Sequence, residues 1–177
     1  ALVLEELDEA HSPDFIYREH NYYEPRVYTK FAVKSRLNGQ QHPIGEKYGG
    51  HIQYSWFVHS FENIVSPEEY GEAHPEYFAM DKEGLRMLTP YKNQLCLSNP
   101  ELVPIAVAAV RKNLTEHPEA EIISISQNDW SLDCQCPECR RINEEEGASS
   151  GTLIRFVNAI AEELEPEFPR VTLDTLA

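Results

Sequence analysis

The segment that most constrains this 177-residue chain runs from residue 121 to 151, where an apolar pattern breaks into a long polar stretch. Ile122-Ile123-Ser124-Ile125 predicts a buried strand, and a clear helix pattern begins only near Ser150. A connection of this length exceeds the usual strand-to-helix loop, which favours a functional role. In α/β proteins, chemistry is usually carried by the loops that leave the carboxyl ends of strands.

The rest of the chain alternates strand patterns with helix patterns. Strands are predicted at 15–19, 51–58, 122–125 and 171–176, and helices at 26–37, 99–115 and 150–164. This alternation predicts an α/β fold in which crossover helices connect parallel strands. Four strands and three helices correspond to about half of a TIM-type (β/α)8 barrel, and a small open doubly wound sheet is the alternative.

The length and composition are those of one globular domain. Hydrophobic residues make up 41% of the chain and charged residues 25%. We expect residues 1–177 to form a single domain, the N-terminal half of a β/α barrel from a larger protein, because the last strand pattern runs to the final residue. The sheet edge left uncovered there predicts a homo-oligomer.

The charge of the chain restricts its partners. A formal net charge of -15 argues against nucleic acid and against an anionic membrane surface as partners. No segment is apolar over the length that a bilayer requires, and the first residues show no secretory signal. The cellular location stays undecided, and a secreted or periplasmic parent protein is compatible with the sequence.

Clustered cysteines predict a metal site. The candidate ligands are Cys96, Cys134, Cys136 and Cys139. Two thiolates in a Cys-x-x-Cys step can reach one tetrahedral ion, and zinc held only by thiolates is structural. His74 or His59 can replace Cys96 as the fourth ligand. A disulfide, for instance between Cys96 and one member of the cluster, and simply reduced thiols remain the alternatives.

Three consecutive residues shortly after the predicted strand at 122–125 have side chains that suit a sugar-binding site. Asp129 is the candidate catalytic carboxylate, while Asn128 can bind sugar hydroxyls and Trp130 can stack on the apolar face of a sugar ring. The alternative is structural: Asn128 and Asp129 form a turn and Trp130 packs on the core.

Two other predicted strands end in polar side chains. His59 ends the second strand, so in a parallel sheet it shares a rim with Asp129 as a substrate contact; a satisfied, partly buried histidine is the alternative. Arg18 and Glu19 end the first strand, which makes Arg18 a candidate substrate contact and Glu19 a candidate second carboxylate. Asp174 lies inside the fourth strand, where a buried acid needs a partner.

Five motifs occur in a fixed order along the chain. They are His59-Ser60-Phe61, His74-Pro75-Glu76-Tyr77-Phe78-Ala79, Gln94-Leu95-Cys96-Leu97-Ser98-Asn99-Pro100, Ser124-Ile125-Ser126-Gln127-Asn128-Asp129 and Cys134-x-Cys136-x-x-Cys139. The set covers about residues 18–176 and resembles a bacterial family, domain of unknown function 4838. That family is similar to glycoside hydrolases, distantly to α-glucuronidases and β-hexosaminidases, which implies an eight-fold β/α barrel.

The resemblance implies a carbohydrate ligand and a glycoside hydrolase site at the edge of the sheet that carries His59, Asn128 and Asp129. A classical glycosidase needs two carboxylates across the scissile bond, and the second is Glu19 or lies beyond the chain. One alternative is a non-catalytic binding or scaffold domain with a structural zinc. Another is a metal-dependent hydrolase that uses His59 and His74.

Overall fold

A computed structural model describes residues 11–42 and 44–176 of the chain. The chain divides into two compact units between Ile52 and Gln53. In its described part, the first unit contains helices α1 (Tyr23–Val27) and α2 (Thr29–Lys34) and a 3₁₀ turn, Glu46–Tyr48.

The first unit differs from the sequence prediction in two places. Residues 15–19 form no strand; instead, the carbonyl of Arg18 accepts hydrogen bonds from the amides of Asn38 and Gly39, both at 3.1 Å. The helix expected over 26–37 is replaced by α1 and α2, because the backbone of Tyr28 between them is extended (φ -110°, ψ 92°).

The second unit contains the sheet. Its elements are α3 (Phe61–Ile64), α4 (Pro67–Tyr70), a 3₁₀ turn (Pro75–Tyr77), α5 (Leu102–Glu116), β1 (Ile122–Ser124), α6 (Pro137–Glu146), α7 (Gly151–Leu164) and β2 (Thr172–Asp174). Strands β1 and β2 pair in parallel with Ile122 opposite Thr172, and Tyr54 forms an isolated parallel bridge to Ile122. The fold is therefore a mixture of helices and strands with a small parallel sheet. Of the strand predicted at 51–58, only the bridge at Tyr54 is present.

One face of this sheet packs against the two long helices. Ile123 and Ile125 on the sheet are fully buried in one hydrophobic core with residues of α5 and α7. Helix α7 contributes the apolar positions that its periodicity predicts: Leu153, Phe156, Val157, Ile160 and Leu164. The apolar face of α7 thus lies where the sequence predicted it.

Helix α6 corrects the prediction of an unbroken loop up to residue 150. The Sγ of Cys136 accepts a hydrogen bond from the amide of Cys139, Pro137 occupies the first turn, and Gly147 ends the helix with a positive φ of 69°. The acidic run 144–146 is the last turn of α6. Ion pairs from Arg141 to Glu138 and Glu145 stabilise the exposed face of α6.

Two sequence predictions concern the surface of the molecule. Within residues 11–42 and 44–176, every helix is too short or too polar to cross a bilayer. The pairings of the described strands leave the outer edge of β2 without a neighbour. Association through this edge stays a prediction.

Candidate functional site

The carboxyl ends of the parallel segments meet in a network of serine hydrogen bonds. The amides of Ser60 and Phe61 donate to the carbonyl of Ser126 at 3.0 and 3.2 Å, and the amide of Ser126 donates to the Oγ of Ser60 at 2.9 Å. The Oγ of Ser126 also accepts from the amide of Leu176, beyond β2, at 3.2 Å. The ends of all three segments therefore lie at one edge, as expected for parallel strands.

His59 lies at this edge and is exposed. Its Nδ1 is 2.9 Å from the carbonyl oxygen of Gln127, so the imidazole sits beside the backbone that leads to Asn128 and Asp129. The backbone of His59 has a φ of 55°, a left-handed conformation that is unusual outside glycine. Backbone strain of this kind is concentrated at functional sites.

The side chain of Gln94 holds the segment that carries Asp129. Its Oε1 accepts from the amide of Asn128 at 3.0 Å, and its Nε2 donates to the carbonyls of Asn128 and Trp130 at 2.8 and 2.7 Å. Gln94 and Asn128 are both buried, and the Nδ2 of Asn128 donates to the carbonyl of Asn93 at 3.0 Å. Buried amides thus fix the backbone from residue 128 to 130.

The side chains presented by this segment face solvent. Asp129 is exposed, and the ring of Trp130 is 39% exposed with the Nζ of Lys92 at 5.7 Å from its centroid. Trp130 is therefore partly covered by the protein and partly open to solvent. We call the surface formed by His59, Asp129 and Trp130 the rim.

Sequence reasoning missed the loop that supports the rim. Tyr91, next to Lys92, is 74% exposed and has a φ of 58°, and its amide donates to the Oε1 of Glu62 at 2.6 Å. The same oxygen accepts from the Nδ2 of Asn93 at 2.8 Å. Gln94 belongs to one of the five sequence motifs, but the motif does not predict its hydrogen bonds.

Arg18 and Glu19 make their hydrogen bonds within the first unit. The guanidinium of Arg18 donates to the carbonyl of Arg36, and the Oε2 of Glu19 accepts from the Oη of Tyr17 and the amide of Gln41, both at 2.8 Å. These bonds hold the backbone of the first unit, and the roles of Arg18 and Glu19 toward a substrate stay predictions.

The four cysteines form one buried cluster. The four members of this thiol cluster are Cys96, Cys134, Cys136 and Cys139, all of them free thiols and all with their Sγ atoms within 4.8 Å of one another. The Sγ of Cys96 is 3.7 Å from that of Cys136 and 4.0 Å from that of Cys139. These thiols lie close enough together to hold a metal ion, and none of them is in a disulfide.

Backbone amides and one hydroxyl surround the thiol cluster. The amide of Met80 donates to the Sγ of Cys134 at 3.3 Å, and the carbonyl of Met80 accepts from the amide of Gln135 at 2.7 Å. The Oγ of Ser98 is 3.1 Å from the Sγ of Cys139 and 3.6 Å from that of Cys136. Amide donors of this kind orient ligands and stabilise negative charge on sulfur, whereas the Oγ of Ser98 accepts from the thiol of Cys139.

The thiols of Cys96 and Cys139 have pKa values shifted in opposite directions. Hydrogen bonds from Cys134 and then Cys139 lower the pKa of the Cys96 thiol, whereas hydrogen bonds with Cys134 and Cys96, together with burial, raise the pKa of Cys139. A thiolate at Cys96 therefore makes the next ionisation harder. A cation that replaces the protons removes this conflict, because metal binding releases protons from its ligands.

The histidines proposed as alternative ligands lie elsewhere. His59 is at the rim, and the Nδ1 of His74 is 3.0 Å from the Oε1 of Glu76 while its ring stacks on Tyr77 at 4.6 Å. Cys96 therefore completes the sulfur set, as the primary prediction stated.

A comparison with known proteins places the chain in a family. The chain belongs to the family described as domain of unknown function DUF4838, whose model matches residues 2–177. No curated protein and no solved structure matches the chain significantly. The family description names no activity, so a function has to be argued from the site itself.

Proposed function

We propose that this chain is a carbohydrate-binding domain, part of a β/α barrel, with its glycan site on the rim. The proposal rests on the hydrogen bonds from Gln94 to the backbone of residues 128 and 130, which we call the clamp. They fix this segment so that the side chains of Asp129 and Trp130 are exposed next to His59. A site whose backbone is fixed in advance loses less conformational entropy when it binds a ligand.

The rim has the groups that a sugar requires. The indole of Trp130 offers an apolar face for stacking on a sugar ring. The carboxylate of Asp129 accepts hydrogen bonds from hydroxyls, and His59 can donate or accept through the ring nitrogen that does not face Gln127. An aromatic face beside polar hydrogen-bonding groups fits a polyol with one apolar face.

The order of the parallel segments supports the barrel. Tyr54, β1 and β2 are neighbours in the order in which they occur in the chain, and all run in the same direction. This sequential order is that of a β/α barrel, and one half of a doubly wound sheet shares it.

In the full-length protein we propose that the rim belongs to a glycoside hydrolase, with Asp129 acting as acid, base or stabiliser of the transition state. Asp129→Asn is expected to abolish hydrolysis of a bound glycan while binding is retained, because the amide keeps the shape of the side chain and loses its charge. Unchanged turnover of that glycan by the variant would remove Asp129 from the mechanism.

Binding is tested with a glycan microarray, followed by calorimetry on the tightest oligosaccharide. Trp130→Ala is expected to weaken binding at least tenfold and to leave the melting temperature unchanged, since the ring is partly exposed. Tyr48→Ala is a matched control, because Tyr48 is 40% exposed and also lies near a lysine, Lys47, whose Nζ is 4.7 Å from the ring centroid. Equal effects of the two variants, or an array without a ligand, would refute the glycan site.

We further propose that the thiol cluster binds a structural zinc ion. In a tetrahedral site with Zn–S bonds of about 2.3 Å the sulfurs are about 3.8 Å apart. The distances of 3.7 and 4.0 Å from Cys96 to Cys136 and Cys139 match this spacing. Four thiolates leave no open position, so the zinc would hold the segment 134–139 near Cys96 without taking part in chemistry.

Metal analysis tests the zinc site. Protein expressed in zinc-supplemented medium is expected to contain one zinc per chain, and X-ray absorption is expected to show four sulfur neighbours. Thiol titration should find the four cysteines protected until a chelator is added. Metal-free protein with four freely reactive thiols, or a site with nitrogen and oxygen ligands, would contradict the proposal.

A further inference from the structure

A small cavity, which we call the side pocket, adjoins the rim within the second unit. Gln94 lines it and also donates to the carbonyl of Trp130 at 2.7 Å. Gln127 lines it as well, and the carbonyl oxygen of Gln127 is 2.9 Å from the Nδ1 of His59. A third lining residue, Leu132, donates its amide to the carbonyl of Trp130 at 3.0 Å. The side pocket therefore lies directly beside the surface proposed to bind sugar.

The volume of the side pocket limits what it can hold. It measures about 90 Å³, whereas pockets that enclose a whole small molecule measure roughly 300–1,000 Å³. A water molecule in the liquid occupies about 30 Å³. A sugar ring is therefore too large for the side pocket, and a substituent of a few heavy atoms fits.

The buried wall of the side pocket is apolar. Phe61, Leu95 and Leu153 line it, and each of them is at most 3% exposed. A charged substituent would lose its hydration against this wall without compensation. The exposed carboxylate of Asp133, which also lines the pocket, disfavours a second negative charge there. The pocket thus favours a neutral group with an apolar end.

One polar side chain of the side pocket has a hydroxyl without a partner. Thr152, at the start of α7, lines the pocket and is 8% exposed. Its amide donates to the Oδ1 of Asn143 at 2.9 Å, whereas its hydroxyl makes no hydrogen bond within residues 11–42 and 44–176. The Oγ1 is not sealed from solvent, so a ligand in the pocket can reach it. A hydroxyl donates one hydrogen bond, which suits a carbonyl oxygen on the ligand.

We propose that the side pocket receives the acetyl group of an acetylated sugar, so that acetylation is the feature the glycan site selects. The inference rests on the proposed glycan site. The methyl group packs against Phe61, Leu95 and Leu153, and the carbonyl oxygen accepts a hydrogen bond from Thr152. An acetyl group is neutral and combines an apolar end with an acceptor, as the pocket requires. Its link to the sugar is an amide or an ester, and the test distinguishes the two.

The test measures the affinities of matched oligosaccharides by calorimetry. Tri-N-acetylchitotriose is paired with cellotriose for the amide, and O-acetylated xylotriose is paired with xylotriose for the ester. In one pair the acetylated member is expected to bind at least about tenfold more tightly, because a small apolar group in a matching pocket gives roughly 10–200-fold discrimination. The pair that shows the preference identifies the link.

Two substitutions locate this preference in the side pocket. Thr152→Val keeps the shape of the side chain and removes the hydroxyl, so the ratio of affinities within the preferred pair should fall about fivefold. Ser149→Phe, at an exposed position that lines the pocket, should fill the pocket and abolish the preference with an unchanged melting temperature. Thr115→Val, at an exposed threonine of α5, is the control and should leave the ratio unchanged.

Two results would overturn the inference while the glycan site stands. One is an equal affinity within both pairs, together with a microarray on which no acetylated glycan binds more tightly than its unacetylated counterpart. The other is a preference for the acetylated member that survives both Thr152→Val and Ser149→Phe. A wild-type protein that binds no oligosaccharide would refute the glycan site, and the acetyl pocket with it.

Discussion

The thiol cluster and the rim are built in opposite ways. The cluster consists of buried side chains that converge on one point, drawn from two segments about 40 residues apart. The rim consists of exposed side chains whose backbone is held from beneath by buried amides, chiefly Gln94. In the functions proposed above, a metal ion would fix the cysteine side chains by coordinating them, whereas a sugar would bind exposed side chains whose backbone is already fixed.

The two regions lie on the same two loops, which makes the comparison testable. Trp130 is followed closely by Cys134, and Gln94 is followed closely by Cys96. Each of the two loops therefore contributes to the rim first and to the thiol cluster a few residues later. A metal that joins the two loops at the cysteines should also limit the motion of the rim.

The largest effect is expected from Cys139→Ser. The variant loses one ligand of a four-thiolate site and should be isolated without zinc, with a loss of roughly 4 kcal/mol or more in the free energy of unfolding. Metal analysis and urea denaturation measure both. Ser98→Ala is the control, because it removes a hydroxyl near the sulfurs and leaves all four ligands; it should keep its zinc. A zinc-loaded Cys139→Ser protein would contradict the assignment.

A smaller effect is expected from Gln94→Ala, which removes three hydrogen bonds to the backbone of the rim. Leaving these buried groups without partners is expected to cost about 1–3 kcal/mol of stability. Binding of the oligosaccharide should fall as well, with the zinc content unchanged. The exposed glutamine Gln53 gives the control Gln53→Ala, which should be neutral. Full affinity in Gln94→Ala would show that the clamp does not organise the rim.

The smallest effect concerns the surroundings of the thiol cluster. The hydrogen bond from Tyr77 to Glu101 raises the pKa of Tyr77 from 10.0 to about 12, and the carbonyl of Tyr77 accepts from the amide of Cys96 at 2.8 Å. Because the folded protein holds the phenol proton more tightly, this stabilisation is present below pH 10 and is lost as the pH rises toward 12.

Glu101→Gln should remove most of this pH dependence. Ultraviolet titration of the phenols is expected to show one tyrosine with a pKa near 12 in the wild type and its return toward 10 in the variant. The zinc content should not change, since Glu101 contacts no cysteine sulfur in the described structure. An unaltered titration curve would mean that the hydrogen bond is absent in solution.

Local patterns explain which parts of the fold the sequence predicted. Helix α7 and strand β1 follow from apolar residues at regular spacing, which dominate their packing. Helix α6 was missed because it has almost no apolar periodicity and depends on a cysteine cap and ion pairs. The strand at 51–58 was over-predicted because aromatic and β-branched residues favour strands even where a single bridge forms.

In the candidate sites, too, some features follow from local sequence patterns and others do not. Cys96 was predicted as the fourth ligand because it is the one cysteine outside the group 134–139. Structural zinc sites are often built from four cysteine thiolates. The hydrogen bonds of Gln94 to the backbone of the rim and the hydrogen bond from Tyr54 to Asp174 join residues far apart in the chain. No local spacing encodes such contacts, so they become visible only in the folded structure.

Hydrogen–deuterium exchange with and without zinc tests most directly whether the metal orders the rim. The amides from Gln127 to Gln135 are expected to be protected in the zinc-loaded protein and to exchange rapidly after chelation, while those of α7 stay protected. Equal protection of the 127–135 segment in both states would contradict the account, because the rim would then be organised without the metal.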